Sequence, residues 1–205
     1  MRTLRMTLVL LLATSILVVI PGEVDATPPG EIGRIAFIST RDEIAGEIYV
    51  RDFAGSQAIR LTTNTAEDVL PRWSPDGDRL AFSQLLGDWD VHVINDDGSN
   101  EINLTNDVFY DDLLMDWSPD GSRLLFASDR GGTMDLWTMH PDGTSAQRLT
   151  DNSDEEFDAD FSPDGSTIAF CTRAGGSFDY YIWLIDADGS NPRRLDATKE
   201  GCDPA

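Results

Sequence analysis

The stretch Trp73-Ser74-Pro75-Asp76-Gly77 belongs to a repeat that decides the fold of this chain. The same pattern returns twice at a constant spacing of 44 residues, as Trp117-Ser118-Pro119-Asp120-Gly121 and Phe161-Ser162-Pro163-Asp164-Gly165. Each copy favours a type I turn, because a side-chain acceptor comes first, Pro fixes φ at the second position and Gly stands fourth. Gly at that position can also adopt the left-handed conformation of a hairpin bulge. The repeat therefore predicts three equivalent hairpin turns.

Apolar triplets follow these turns at matching positions in every copy. They are too short for helices and rich in β-branched and aromatic residues, so they indicate strands. The first set is Ile35-Ala36-Phe37, Leu80-Ala81-Phe82, Leu124-Leu125-Phe126 and Ile168-Ala169-Phe170. The second set is Ile48-Tyr49-Val50, Val91-His92-Val93, Leu136-Trp137-Thr138 and Ile182-Trp183-Leu184, each followed by a turn that ends in Gly. With a short closing strand at Leu-Thr or Leu-Asp, each copy predicts four antiparallel strands, A to D.

Four such copies indicate an all-β chain with the architecture of a β-propeller. A four-stranded unit cannot bury both of its faces alone, and stacking units around an axis buries them. The predicted blades span about 33–66, 67–110, 111–154 and 155–198, and 199–205 would start a fifth inner strand. No W-S-P-D-G precedes Ile35, so we expect the first blade to lack its inner strand. The sequence predicts an open or incompletely closed arc of about four blades.

The combination of W-S-P-D-G, a following apolar triplet, an Asp-Gly turn and Leu-Thr resembles the repeat of the TolB-like (WD-repeat-like) propeller family. The resemblance covers about Gly33 to Ala205. It implies an extracytoplasmic propeller that binds other proteins or small ligands. Propellers of this type also cap some serine peptidases and form some polysaccharide lyases, so the resemblance alone leaves the function open.

The N-terminus predicts export. Arg2 and Arg5 precede the apolar run from Met6 to Ile20, and a small-residue site follows. This order is typical of a secretory signal peptide with cleavage after Ala26, and residues 27–32 would form a short linker. The apolar run is short for a membrane span, although an uncleaved anchor is the alternative. We expect a periplasmic or secreted protein with no stable membrane insertion after cleavage.

The charge of the chain restricts its partners. With 37 acidic and 15 basic residues, the formal net charge is −22 at pH 7. Nucleic acid is excluded as a partner, because binding a phosphate backbone needs clustered Lys and Arg. A basic protein or a cationic ligand fits this charge better. An unpaired strand edge in the first blade would also favour self-association.

Acidic pairs recur in the connections between the last strand of one copy and the first strand of the next. They are Glu67-Asp68, Asp111-Asp112 and Glu155-Glu156. Antiparallel strand order places these D–A connections at the same end as the longer, variable loops, where binding residues tend to lie. We therefore predict a negative binding patch there, with a solvated acidic loop as the alternative.

Candidate catalytic groups are few. His92 stands where the other copies have Tyr49, Trp137 and Trp183, which favours a packing role, and His140 begins a turn. No G-x-S-x-G elbow is present. The acidic turns do not fit the EF-hand pattern, and no Cys/His cluster has zinc spacing. We predict no catalytic residues, no metal site and no cofactor.

The two cysteines allow two interpretations. Cys171 and Cys202 align with apolar positions in the other copies, and free Cys packs as a small hydrophobic side chain. Export would also permit a disulfide between them. The leading functional hypothesis is a non-catalytic binding module. The alternatives are a metal-assisted carbohydrate lyase or hydrolase, a peptidase cap, or a truncated, non-functional remnant.

Overall fold

The computed structural model describes residues 10–12, 15–18, 33–42, 44–52, 55, 57–173 and 180–195, with only the backbone for the first two ranges. All of the regular structure in these residues is β-strand. None of them belongs to a helix long and apolar enough to cross a membrane. The predicted cleavage point after Ala26, the linker 27–32 and the segment 199–205 lie outside the described residues.

Four antiparallel sheets make up the fold. The first has the order β1 (Leu10–Leu12), β2 (Ser15–Val18), β3 (Arg34–Ser39), β4 (Glu47–Asp52) and β5 (Ile59–Arg60). The second contains β6 (Glu67–Trp73), β7 (Arg79–Leu85), β8 (Trp89–Asn95) and β9 (Ile102–Asn103). The third contains β10 (Asp112–Trp117), β11 (Leu124–Ser128), β12 (Asp135–Met139) and β13 (Gln147–Arg148). The fourth contains β14 (Glu155–Phe161), β15 (Thr167–Arg173), β16 (Tyr180–Asp186) and β17 (Arg193–Arg194). The predicted all-β class and four blades are confirmed.

The chain divides into two compact units, Met1–Leu86 with His92–Ile102 and Gly87–Val91 with Asn103–Ala205. Each has its own apolar core. In the first unit, the motif residue Trp73 packs with Leu80 and Phe82 of the following triplet. In the second, Phe161 packs with Ile168 and with residues of the third sheet. The aromatic residue that precedes each Ser-Pro-Asp-Gly turn is therefore a core residue.

The three Ser-Pro-Asp-Gly turns have the geometry that their sequence predicts. In the first, the N–H of Gly77 donates to the carbonyl of Ser74 at 2.9 Å, and Gly77 has a φ of 77°. The hydroxyl of Ser74 donates to the Asp76 carboxylate at 2.5 Å. The equivalent Ser118–Asp120 and Ser162–Asp164 bonds hold the pKa of each of those carboxyls down at about 2. These turns are hydrogen-bonded units that join strand A to strand B.

The C–D turns contact the closing strand of the preceding blade. Gly98, Gly143 and Gly189 all have positive φ, between 81° and 88°. A Cβ on Gly143 would lie 3.1 Å from the carbonyl oxygen of Leu104, and one on Gly189 would lie 2.9 Å from that of Leu149. The Leu of each Leu-Thr pair therefore supplies the surface on which the next blade's turn rests.

Each A strand contains an irregularity that the motif does not predict. The pairing register shifts between Val69 and Arg72 in β6, and again between Phe157 and Asp160 in β14. Leu70 and Asp158 adopt positive φ at these sites, with values of 54° and 49°. Such bulges bend the strand and increase its twist.

The first sheet differs from the others at its inner edge. No motif-bearing strand precedes β3 in the sequence, as expected. The place beside β3 is taken by β2, where Leu17 pairs with Phe37 and Val18 with Ala36. The unpaired edge expected in the first blade is therefore not found, because β2, which lies within the predicted signal peptide, supplies backbone N–H and C=O groups to the edge of β3.

Two sequence alternatives are resolved by side-chain contacts. Cys171 is disulfide-bonded, which favours the second of its two interpretations; Cys202, the other cysteine of the sequence, lies outside the described residues. His92 is 7% exposed and its ring lies 5.3 Å from that of Phe82, in the slot where Phe37 and Tyr49 stack in the first sheet. The packing role predicted for His92 is confirmed.

Candidate functional site

The acidic pairs lie at the beginnings of A strands rather than in the middle of loops. Glu67 and Asp68 begin β6, and Glu155 and Glu156 begin β14. Asp112 begins β10, with Asp111 directly before it. Because successive residues of a strand point to opposite sides, the two members of each pair have different surroundings. We call Asp68, Asp112 and Glu156 the inner acids, and Glu67, Asp111 and Glu155 the outer acids.

Asp68 is fully buried and closes its loop through hydrogen bonds. Its carboxylate accepts from the amide of Asn64 at 3.2 Å and from Gln84 at 2.9 Å. The side chain of Thr62 also hydrogen-bonds to it. Burial outweighs these bonds and raises the pKa of Asp68 to about 6. This inner acid therefore joins Thr62 and Asn64 of the loop after β5 to Gln84 on β7.

Glu156 repeats this arrangement two blades later. Its carboxylate accepts from Asn152 at 2.5 Å and from the hydroxyl of Thr150 at 3.0 Å. The same hydroxyl accepts the N–H of Leu136 at 2.8 Å, which connects the loop to strand β12. Burial raises the pKa of Glu156 to about 7, and the nearby Asp135 carboxylate acts in the same direction.

Asp112 is held by a cation instead of an amide. Both of its oxygens accept from Arg130 at 2.8 Å. Asp107 occupies the loop position of Asn64 and Asn152 but cannot donate, and the Arg130 guanidinium lies 4.0 Å from it. Burial still raises the pKa of Asp112, although Arg130 opposes the shift. All three inner acids thus hold their loops in place. Asp68 and Glu156 do so through hydrogen bonds from Asn side chains, and Asp112 does so through an ion pair with Arg130.

Sequence reasoning missed the partners of the inner acids. The pattern Leu-Thr-x-Asn-x-x-Glu followed by Asp or Glu stands at residues 61–68 and again at 149–156. It indicates an Asn whose carbonyl accepts the N–H two residues on, which occurs at Ala66 and Asp154, both at 2.7 Å. Such Asx turns are a known local use of Asn. This second repeat was the signal that could have separated inner from outer acids.

A buried acid on strand C is a further feature that the motif did not reveal. Glu47 and Asp135 are fully buried and pair with Arg60 at 2.9 Å and Arg148 at 2.7 Å, each on the adjoining D strand. Asp90 accepts from Asn103 at 2.8 Å in the equivalent place. These pairs tie the short D strands to their sheets.

The outer acids remain accessible. Glu67 is exposed, and the Glu155 side chain is 43% exposed with an ion pair to Arg173. Asp111 is half-buried, and one of its oxygens accepts the N–H of Trp89 at 3.0 Å. Of the two predicted members of each pair, the outer one is therefore the one that can meet a partner. The binding role itself stays a prediction.

Other candidate groups take structural positions. His140 is exposed and its Nδ1 lies 3.2 Å from the Thr144 hydroxyl within its turn. His92 lies 2.9 Å from Glu101, and this contact lowers the pKa of the Glu101 carboxyl. Among the described residues, no group of three or more His, Cys, Asp or Glu side chains could hold a metal ion.

Known proteins resemble the chain in sequence and in fold. The sequence model of the TolB beta propeller domain matches residues 30–205. The Tol-Pal system protein TolB of Desulfosudis oleivorans is 39% identical over 72 residues, which are 35% of this chain and 16% of that protein. The structure of putative TolB from Agrobacterium tumefaciens has a TM-score of 0.72 at 26% identity, covering 79% of this chain and 60% of the other. TolB from Acinetobacter baumannii shares the fold, with a TM-score of 0.67 at 24% identity over 82% of this chain and 42% of its own. The chain thus spans less than two thirds of the length of each.

Proposed function

The chain belongs to the TolB β-propeller domain family, and from this we propose that it is a non-catalytic module that binds a protein partner outside the cytoplasm. The location rests on the charged start and apolar run of the N-terminus. The partner class rests on the relative from Desulfosudis oleivorans, which is described as part of a Tol-Pal system. We propose that this chain acts in a system of the same kind.

The proposal rests on the different positions of the two acids in each pair, one buried and one at the surface. The inner acid orders the D–A loop through buried hydrogen bonds, as Glu156 does with Asn152 and Thr150. The outer acid is left at the surface of a loop whose shape is already set. Because a loop ordered in advance loses little conformational entropy on binding, it is suited to recognition. We propose the outer acids as the contact residues.

Charge supports a basic partner surface. The chain has a formal net charge of −22, so a surface rich in Lys or Arg is attracted over long distances. Exposed ion pairs contribute about 0.2–1 kcal/mol each, so three outer acids account for about a tenfold change in affinity.

The test uses the triple variant Glu67→Gln, Asp111→Asn and Glu155→Gln and the Tol and Pal proteins of the same organism. We expect binding to one of these proteins, measured by calorimetry, to weaken about tenfold while the unfolding temperature does not fall. The control variant is Asp97→Asn, Asp142→Asn and Asp188→Asn in the C–D turns. It removes the same three charges and keeps an acceptor oxygen for each turn bond. Equal loss in both variants would show that total charge, not the loop surface, is recognised.

A further inference from the structure

The loop between β9 and β10 ends in an exposed apolar tip. Val108, Phe109 and Tyr110 are 77%, 80% and 40% exposed, and we call these three residues the VFY tip. The remaining large exposed apolar residues of the described chain are single: Ile44, Ile59, Leu86, Ile102 and Leu195. Scattered exposed apolar residues need no explanation, whereas a contiguous apolar group indicates an interaction site.

The tip arises from a longer loop than those of the neighbouring blades. Eight positions separate Leu104 from the inner acid Asp112, whereas seven separate Leu61 from Asp68 and Leu149 from Glu156. The longer loop contains the three exposed apolar residues of the VFY tip. In the two shorter loops, the residues before the outer acid are Thr-Ala and Ser-Asp. The apolar character is therefore specific to this loop.

The tip is held in one shape from both sides. On the N-terminal side, Asp107 accepts the N–H groups of Phe109 and Tyr110, both at 3.1 Å. On the C-terminal side, the N–H of Asp111 donates to Asp129 at 3.0 Å. The rings of Phe109 and Tyr110 contact edge-on, with centroids 6.4 Å apart. An apolar group that is exposed yet ordered loses little entropy when it is buried by a partner.

The charge around the VFY tip indicates which kind of partner can bind it. Residues 101–116 contain five acidic residues and no Lys or Arg. Arg130, which lies 4.0 Å from Asp107, is already bound to Asp112 and lies over the ring of Trp137 at 5.1 Å. A second copy of this chain would bring a further net charge of −22 against the same surface, which opposes association. A pocket rimmed by Lys or Arg complements it.

We propose that the VFY tip is an anchor that inserts into an apolar pocket of a protein partner whose rim carries Lys or Arg. This rests on the proposed function and adds to it a central contact that charge alone does not provide. Aromatic side chains buried at the centre of an interface contribute most of its binding energy, and the surrounding charges set the rate and specificity of association. Phe109, the most exposed of the three, is the residue on which binding depends most.

The test uses a phage-displayed library of random 12-residue peptides, selected on the whole protein. The comparison proteins are the triple variant Val108→Ser, Phe109→Ser and Tyr110→Ser and the control Ile102→Ser, an exposed apolar residue on β9. We expect selected peptides to combine aromatic or aliphatic residues with Lys or Arg. Their affinity should fall at least tenfold on the triple variant and stay unchanged on Ile102→Ser. The side chains are exposed, so all variants should unfold at the wild-type temperature.

Three outcomes would overturn the proposal. The first is a set of peptides that binds the triple variant as well as the wild type. The second is a wild-type dimer in sedimentation velocity that the triple variant does not form, because the occupant is then a second copy. The third is flotation of the wild type with phosphatidylcholine vesicles that the triple variant loses.

The outer-acid variant separates the two proposals: peptides that lose affinity only on the tip variant support the anchor and contradict contact through the outer acids.

Discussion

The inner acids show how a single carboxyl can order a loop at a cost that depends on pH. Asp68 and Glu156 are 0% and 1% exposed, and burial is the main reason that their pKa values rise to about 6 and about 7. Hydrogen bonds from Thr and Asn oppose the rise without cancelling it. Such surroundings favour the protonated form of a carboxyl more than water does. The folded protein therefore holds protons that the unfolded chain releases.

We predict that the protein is less stable at pH 7.5 than at pH 5. A raised pKa in the folded state contributes stability that is present below the ordinary carboxyl value and is lost as the pH rises through the raised value. The window runs from the ordinary values of 3.8 and 4.5 to about 6 for Asp68 and about 7 for Glu156. The free energy of unfolding should fall by roughly 3–6 kcal/mol across it, measured by urea denaturation at high salt.

Substitution of the inner acids can show whether they cause this pH dependence of stability. The side chains introduced by Glu156→Gln and Asp68→Asn cannot ionise. Each substitution should therefore reduce the loss of unfolding free energy between pH 5 and pH 7.5 and raise stability at pH 7.5. The exposed neighbour variant Glu67→Gln should keep the wild-type slope. The turn acids Asp120 and Asp164 titrate near pH 2 and act below the window. A slope unaltered in Glu156→Gln would show that the inner acids are not its source.

At the scale of single elements, the C–D turns connect one blade to the next. Gly143 combines a φ of 81° with a carbonyl oxygen of Leu104 3.1 Å from the position of a Cβ. Gly77 has a similar φ of 77° with open space around that position. Alanine substitutions at the two positions therefore distinguish the energetic cost of the backbone conformation from the cost of steric crowding.

We predict that Gly143→Ala destabilises the protein more than Gly77→Ala does. A side chain at positive φ costs roughly 1 kcal/mol at either site. At Gly143, the turn must also move away from Leu104, so we expect a total of roughly 2–3 kcal/mol. Thermal and urea unfolding of the two variants would measure the difference. Equal losses would mean that the turn adjusts freely and that the contact with the preceding blade is unimportant.

The elements differ in how well the sequence predicts them. The Ser-Pro-Asp-Gly turns could be predicted because the hydrogen bonds that close them lie within six residues, as between Ser74 and Arg79. The bulge at Leu70 could not, because Leu has no preference for positive φ and the tertiary fold imposes it. The two-residue acidic motif does not by itself show which of its members is buried. The hydrogen-bond partner that marks the buried acid of the first such pair is Asn64, which the first repeat pattern did not include.

For the whole molecule, the excess of acidic residues opposes folding. The chain has 37 acidic and 15 basic residues, and several of the basic ones are already engaged with buried acids, as Arg60 is with Glu47 and Arg148 with Asp135. The acids that remain at the surface therefore have few partners to offset them. Compaction brings these like charges together, and their mutual repulsion destabilises the folded state.

We therefore predict that added salt stabilises this protein. The screening length falls from about 30 Å at 0.01 M to about 8 Å at 0.15 M, so repulsion between distant surface carboxylates is largely removed over this range. Buried pairs such as Arg130 with Asp112 are screened much less and keep their contribution. The unfolding temperature at pH 7.5 should rise steadily between 0.01 M and 0.2 M NaCl. At pH 4.1, close to the sequence pI where the net charge is near zero, the same salt should have little effect. A stability that is flat or falls with salt at pH 7.5 would show that attractive surface pairs outweigh the net repulsion.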